Sequence, residues 1–364
     1  MSKVLALCET PYQIIVVSKI ISTFYKNTDV DIIITNHISG GEELVNRLKK
    51  SNLFNDAFYL KTKNLKRNAK IDSLLNYINK YLRVNKLLKE ADYRNNKYNT
   101  FLFCNIDIVS QHLITFLNRH STVEVVMFED GLSSYTELYG KFFRNYTESI
   151  NILDKIRYRL LRGKFSLIEG IYVFNPQYVE WKSYFPIIGI PKITKKDEKL
   201  IQELNQIFLY TDSRNEYNYK YIYFEESYFA DGYAVNDIEL VNKISQLVGK
   251  ENIVIKIHPR NPINRFKKYG YNTNKITSIP WEIIALNMKL EDKVLITIAS
   301  GSVMNPLIIM GMNLNAIMLF NYEELKAELL NDLIKTIELI CKENTDSYSL
   351  PVTFNELKQR LLLS

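Results

Sequence analysis

Two stretches of this 364-residue chain join an apolar run to groups able to act on a charged substrate. In residues 252–260 (NIVIKIHPR), Ile253, Val254, Ile255 and Ile257 make a β-branched run that stops at Pro259, which fixes φ and removes a backbone donor. His258 then stands at the carboxyl end of a strand, the end that meets ligand in open α/β sheets. An imidazole there can give a proton or a hydrogen bond to a phosphate. A lone strand-end histidine more often caps a turn, but a second run, 293–299 (KVLITIA), leads into Ser300, Gly301 and Ser302 ahead of an apolar helical stretch. Hydroxyls and a glycine between a strand and a helix amino end suit an anion. Pro259 and Arg260 flank the histidine on that side.

Carboxylates supply the other half of a transfer chemistry. The run 123–128 ends in Glu129, Asp130 and Gly131, and paired acids at a strand end beside a flexible glycine can provide a general base. The run 219–224 leads into Glu225, Glu226 and Asp231. Glu282, in the first turn of a helix after Ile279-Pro280-Trp281, can offset the helix dipole or bind a ribose diol. Near the amino end, Thr10 is a good N-cap, Pro11 suits the first helical position, and Gln13 completes a capping box. Tyr12 and Gln13 therefore look out from a first strand-to-helix loop.

The elements that hold these groups alternate. Strands are expected at 3–7, 31–35, 57–60, 99–104 and 123–128, with helices at 41–53 and 71–90. A polar stretch, 192–218, follows Pro186 and Pro191. Beyond it the alternation resumes, with strands at 219–224, 252–258, 293–299 and 316–320, helices at 236–248 and 303–310, and a capping box at 353–356 opening the last helix. Alternation of this kind implies parallel sheets with crossover helices. The reading is α/β, with two Rossmann-like domains facing a central crevice: residues 1–190, a linker at 191–218, and residues 219–364.

Bulk properties fit a soluble globular protein: 46% of residues are hydrophobic and 24% charged, with mean hydropathy −0.15. No apolar run is long enough to cross a membrane and the amino end carries no signal segment, which places the chain in the cytoplasm. Cys8, Cys104 and Cys341 are scattered, which argues against disulfides and structural zinc and for small buried thiols. Asp29-Val30-Asp31 has the DxD form of metal-dependent sugar transferases, but these acids precede their strand, the wrong end for a ligand, so no metal site is assigned. No GxGxxG or GxxxxGK[ST] occurs. The net charge of +7 is uneven: from Lys61 to Lys97 there are eleven basic residues against three acids. A second group comprises Lys155, Arg157, Arg159, Arg162 and Lys164. A solvated face is the plain explanation; the functional one is attraction to an anionic membrane surface or an acidic lipid-linked substrate. Nucleic acid is not expected, because the 25 Tyr and 18 Phe do not interleave with the basic patches.

CETPYQ at 8–13, FEDG at 128–131, HPR at 258–260, IPWE at 279–282 and ASGS at 299–302, in this order, resemble bacterial sialyltransferases of glycosyltransferase family 52, which decorate lipooligosaccharide and capsule. The resemblance implies a GT-B-type architecture and an inverting, metal-independent transfer of sialic acid from CMP-sialic acid to a galactose-type acceptor, with no cofactor. It makes His258 the partner of the leaving phosphate and Ser300 and Ser302 its hydroxyl cradle, with Pro259, Arg260, Glu282 and Gly301 also on the donor side and Tyr12, Gln13 and Glu129 on the acceptor side. For the base, the wider bacterial group points to Asp130 and family 52 to Asp231, with Glu225, Glu226 and Asp237 close by. The partners implied are a nucleotide sugar, a glycan acceptor and a peripheral contact with the inner membrane face; a homodimer is compatible with this reading. Alternatives are a hexosyl transferase or an enzyme moving a polyol phosphate from a CDP donor, a nucleotide-sugar epimerase, and a non-catalytic binder of anionic membranes or nucleic acid.

Overall fold

The computed structural model describes residues 3–62, 82–84, 86, 97–118, 122–140, 168–183, 185–325 and 331–363. Within these residues the chain forms two compact units. The expected helix at 71–90, most of the basic stretch 61–97 and the cluster 155–164 lie outside the described residues.

The first unit comprises Met1–Asp130, Glu137–Pro191 and Asp197–Phe208. Its strands are β1 (Lys3–Cys8), β2 (Asp29–Thr35), β3 (Asp56–Leu60), β4 (Thr100–Phe103), β5 (Glu124–Phe128), β6 (Ile168–Val173) and β7 (Ile187–Gly189). They make one parallel sheet in the order β3-β2-β1-β4-β5-β6-β7. β1 and β4 are unbroken apolar runs because a parallel sheet covered on both faces has no wet side for polar residues to use. Helices α1 (Pro11–Phe24), α2 (Gly41–Lys50) and α3 (Ile108–Leu117) connect strands. In α1 nine residues are buried, from Gln13 to Ile21. The chain reverses its direction of winding between β1 and β4, and ligands of such sheets sit beyond the strand ends at that point.

The second unit takes Gly131–Thr136, Lys192–Lys196 and Leu209–Ser364. Its parallel sheet runs β10-β9-β8-β11-β12-β13, where β8 is Tyr221–Phe224, β9 Ile253–Lys256, β10 Asn272–Thr273, β11 Val294–Thr297, β12 Asn315–Met318 and β13 Tyr348–Ser349. The winding here reverses between β8 and β11. Tyr223, Ile255, Ile296 and Ile317 pack with Val241 and Ile244 of α5 (Asp237–Val248) and with Leu357 and Leu361 of α9 (Phe354–Leu363). The remaining helices are α6 (Trp281–Asn287), α7 (Gly301–Met310) and α8 (Asn331–Glu343). The 3-10 turn Gly131–Tyr135 packs on α7 and α8. No helix among the described residues is long and apolar enough to cross a membrane.

Several expectations are corrected. The linker placed at 191–218 contains a helix, α4 (Glu198–Phe208), which belongs to the first unit. Leu200, Leu204 and Ile207 form its buried stripe, which the many charges between them mask on a polarity reading. Strands β6 and β7 were not foreseen; β7 is a three-residue edge strand that directly follows Pro186, a position where proline costs no ladder bond. Asp29 and Asp31 lie within β2 rather than ahead of it. Asp31 is fully buried, pairs with Lys3 at 2.9 Å and accepts from the Tyr98 hydroxyl at 2.7 Å. Finally, Gln13 does not close a capping box on Thr10. Thr10 accepts from the Gln13 N–H, but Gln13 Oε1 accepts from the N–H of Glu9, one residue earlier.

Candidate functional site

At the carboxyl ends of β1, β4 and β5 the first unit gathers a polar set. Glu129 is fully buried and structural in its geometry: Oε1 accepts from the Tyr12 hydroxyl at 2.5 Å and Oε2 from the Phe174 N–H at 2.7 Å. Asp130 is less covered, with Gln13 Nε2 donating to Oδ1 at 2.8 Å and Asn105 Nδ2 near Oδ2 at 3.5 Å. Gly131 adopts φ 71°, the left-handed region where a side chain would be strained, so the chain turns sharply directly after Asp130. Tyr12, Gln13, Glu129 and Asp130 are thus brought together as the motifs suggest.

Three residues unforeseen as site residues join them. Asn105 also donates to Glu9 Oε2 at 3.1 Å, and the other oxygen of Glu9 lies 3.7 Å from His37 Nε2. Asp107 caps α3 through the N–H groups of Val109 and Ser110; burial first, and the Glu9 charge second, push its carboxyl up to about 6. Glu9 and Asn105 each follow a strand that borders the winding reversal. That strand order is not written in local sequence, so only their position just past an apolar run could have marked them.

In the second unit β8 and β9 pair with Phe224 opposite Lys256, so Glu225 and His258 lie just beyond neighbouring strand ends. Glu225 Oε2 accepts from the His258 N–H at 3.0 Å, and its Oε1 accepts from Arg265 at 2.9 Å. Arg265 also grips Asp237. Two of the alternative bases, Glu225 and Asp237, are therefore consumed in a buried ion-pair knot that fixes the backbone at 258. The His258 ring is oriented as well: Nδ1 accepts from the Arg260 N–H at 3.2 Å. A neutral imidazole held this way carries its proton on Nε2, which has no partner among the described residues. Burial, then the charges of Lys256 and Arg260, pull the His258 pKa down to about 4.

Asp231 stands in a more exposed loop. Its Oδ1 takes Arg260 at 3.1 Å and its Oδ2 takes the Ser227 hydroxyl at 2.6 Å, while Arg260 also donates to Ser227. Pro259 and Arg260 are exposed. Glu226 occupies the winding reversal itself. One oxygen, Oε1, accepts from Thr297 Oγ1 at 2.8 Å and from the Ala299 N–H at 2.9 Å, bridging the ends of β8 and β11, and Oε2 has no partner among the described residues. Burial outweighs those hydrogen bonds and the nearby Lys256 charge, pushing the Glu226 carboxyl up to about 7.

Ser300 is the N-cap of α7, its Oγ accepting from the Ser302 N–H at 3.3 Å, and its own N–H donates to Thr297. Space does not demand glycine at 301, since a methyl there would meet Leu132 at an ordinary 3.4 Å. Glu282 is buried in the first turn of α6 and accepts from Asn305 Nδ2 of α7 at 2.5 Å, leaving its second oxygen without a protein donor among the described residues. His258, Glu226, Glu282 and the Ser300 turn thus share the carboxyl end of one sheet. An anion there would meet an Nε2–H, two hydroxyls and the first N–H groups of α7.

Among solved structures the fold is similar to the alpha/beta-galactoside alpha-2,3-sialyltransferase of Photobacterium phosphoreum, with TM-score 0.53 and 11% identity over 96% of this chain and 97% of that one. It is also similar to the glycotransferase of kitacinnamycin (TM-score 0.52, 9% identity, 99% and 90% covered). The UDP-GlcNAc 2-epimerase of Methanocaldococcus jannaschii gives TM-score 0.51 and 16% identity, with 100% and 92% covered. At such identities these likenesses establish the fold, the two-domain α/β architecture of GT-B glycosyltransferases and epimerases. No curated protein matches the chain. The comparison does not name the family 52 that the motifs resemble; residues 4–313 match the profile described as alpha-2,8-polysialyltransferase, and the chain belongs to that family.

Proposed function

We propose that this protein is an inverting sialyltransferase that takes sialic acid from CMP-sialic acid without a metal ion. Family membership supports sialyl transfer. The observation that carries the mechanism is His258, with Nδ1 held by the Arg260 N–H and an unengaged Nε2 at the strand end. In this reading a carboxylate removes the proton of the acceptor hydroxyl, whose oxygen attacks the anomeric carbon. The bond from that carbon to the phosphate oxygen breaks, and its electron pair leaves with CMP. His258 Nε2–H and the hydroxyls of Ser300 and Ser302 neutralise the departing phosphate. Glu282 binds the ribose through its second oxygen.

For the base we assign Asp130 rather than Asp231. Asp231 is spent in holding Arg260 and Ser227, and family 52, which favoured it, is not named by the family match. Asp130 is oriented by two amides at the end of β5. The acids beside it, Glu9 and Asp107, suit the hydroxyls of a neutral sugar, in keeping with a galactose-type acceptor on lipooligosaccharide or capsule. The family's name, alpha-2,8-polysialyltransferase, suggests a second acceptor, a sialylated glycan. Incubating the protein with CMP-sialic acid and either a galactoside or a sialylated glycan, and resolving the products by mass, decides between them. His258→Ala should lose ~10²–10⁴ in kcat while remaining folded, since one positioned acid contributes about that much. No sialyl transfer or donor hydrolysis by the wild type, or normal turnover by the variant, overturns the reading.

A further inference from the structure

Lys256 is the last residue of β9, two residues before His258, and its charge is felt at the His258 ring. Its ammonium makes no hydrogen bond and no ion pair with any described residue. It lies over the Phe224 ring, 5.8 Å from Nζ to the centroid. Of the acids around it, Glu225 has both oxygens committed, to Arg265 and the His258 N–H, while Glu226 and Glu282 each engage one oxygen with other donors, and none of the three takes the ammonium.

These carboxylates act on Lys256 only through their fields, while burial lowers its pKa. Residues of the second unit have therefore been arranged so that a cation is drawn into a largely covered place and then left without an acceptor. A covered ammonium with no hydrogen-bond acceptor is costly in a finished structure. The cost is recovered when a ligand oxygen arrives. Four methylenes give Lys256 the reach to serve an anion that His258 and Ser300 also meet.

We propose that Lys256 is a donor-binding residue whose ammonium takes an anionic oxygen of the nucleotide sugar, on the phosphate or on the sugar carboxylate. This rests on the reading of the site as one for CMP-sialic acid. The test is titration calorimetry of the wild type, Lys256→Met and Lys256→Gln with cytidine, CMP and CMP-sialic acid, no acceptor present, after thermal melts show that the variants fold. Both variants should weaken CMP-sialic acid by roughly 10–100-fold, the range for a lost charge-assisted hydrogen bond, with cytidine unchanged. A matching loss for CMP places the contact on the phosphate; CMP unchanged places it on the sugar carboxylate. Equal losses that include cytidine, or no loss for any of the three, overturn the inference. A wild type that binds neither CMP nor CMP-sialic acid defeats the donor assignment itself, a different result from a wild type that binds while the variants bind equally well.

Discussion

A proton should enter the site with the nucleotide. In the free protein His258 titrates at about 4, held down by burial and by the charges of Lys256 and Arg260. A singly charged phosphate about 4 Å from Nε2, at an effective dielectric of about 20, favours the imidazolium by about 4 kcal/mol. That is about three pKa units, but the added proton sits on Nδ1 and displaces the Arg260 N–H, a loss of about 1.4 kcal/mol that leaves the bound imidazole at about 6. Proton linkage then makes binding about 10-fold tighter at about pH 5 than at about pH 7.5, because the complex takes up a proton that the free protein does not hold. A methyl phosphodiester of CMP is the ligand of choice, since a monoester's second ionisation near ~6 would add its own slope. Calorimetry in two buffers of different ionisation enthalpy counts the proton directly. At about pH 5 the wild type should absorb most of one proton per ligand and His258→Gln none. Affinity independent of pH, or uptake that persists in His258→Gln, would refute the argument.

Other outcomes follow from the same geometry. Asp130→Asn should lower kcat by ~10²–10⁴ with CMP affinity unchanged; Asp231→Asn, by releasing Arg260 and Ser227, should raise the donor KM instead. A steep loss of kcat in Asp231→Asn or Glu226→Gln, measured by product release, would move the base to that residue. The Glu226 carboxyl is raised in the folded protein, so its contribution to stability is present below its unfolded pKa and is lost as pH rises through about 7. Glu226→Gln should therefore raise Tm at about pH 8 and change it little at about pH 5; equal shifts at both values would contradict that cause. Turnover should be unaffected by EDTA, and loss restored by Mg²⁺ or Mn²⁺ would show a metal role. If the basic stretch holds the enzyme at anionic membranes, charge reversal at Lys63, Lys66 and Arg67 should weaken vesicle binding at low salt, and unchanged sedimentation with vesicles would leave only a solvated face.

Strand ends carrying chemistry are readable where an apolar run stops at a marked residue: Pro259 after His258, and the Ser-Gly-Ser turn after β11. Both follow from local rules of backbone and burial. The alternation of strands and helices conveys the α/β class for the same reason. Lys256 escapes such a reading, since a single charge in an apolar strand looks like an edge or a face and only pairing reveals its surroundings. Glu9, Asn105 and Asp107 escape for another reason: they are neighbours through the order β1-β4-β5, a nonlocal property. Asp231 and Glu226 show the limit of choosing a base by motif. Both follow one strand, yet one serves an exposed arginine and the other bridges two strand ends.

The small excursion Gly131–Thr136 has a consequence for synthesis. This segment counts with the second unit, yet it is translated between β5 and β6 of the first. Tyr135 is fully buried and Leu132 nearly so, and the segment packs on α7 and α8. Those helices leave the ribosome well over a hundred residues later, which at ~5–20 residues per second is a wait of roughly ten to forty seconds. Through that interval a leucine and a tyrosine destined for a core have no partner helix. A nascent chain stalled before Gly301 should therefore recruit holding chaperones at this segment, and expression of residues 1–208 alone would deprive the same two side chains of α7 and α8 for good.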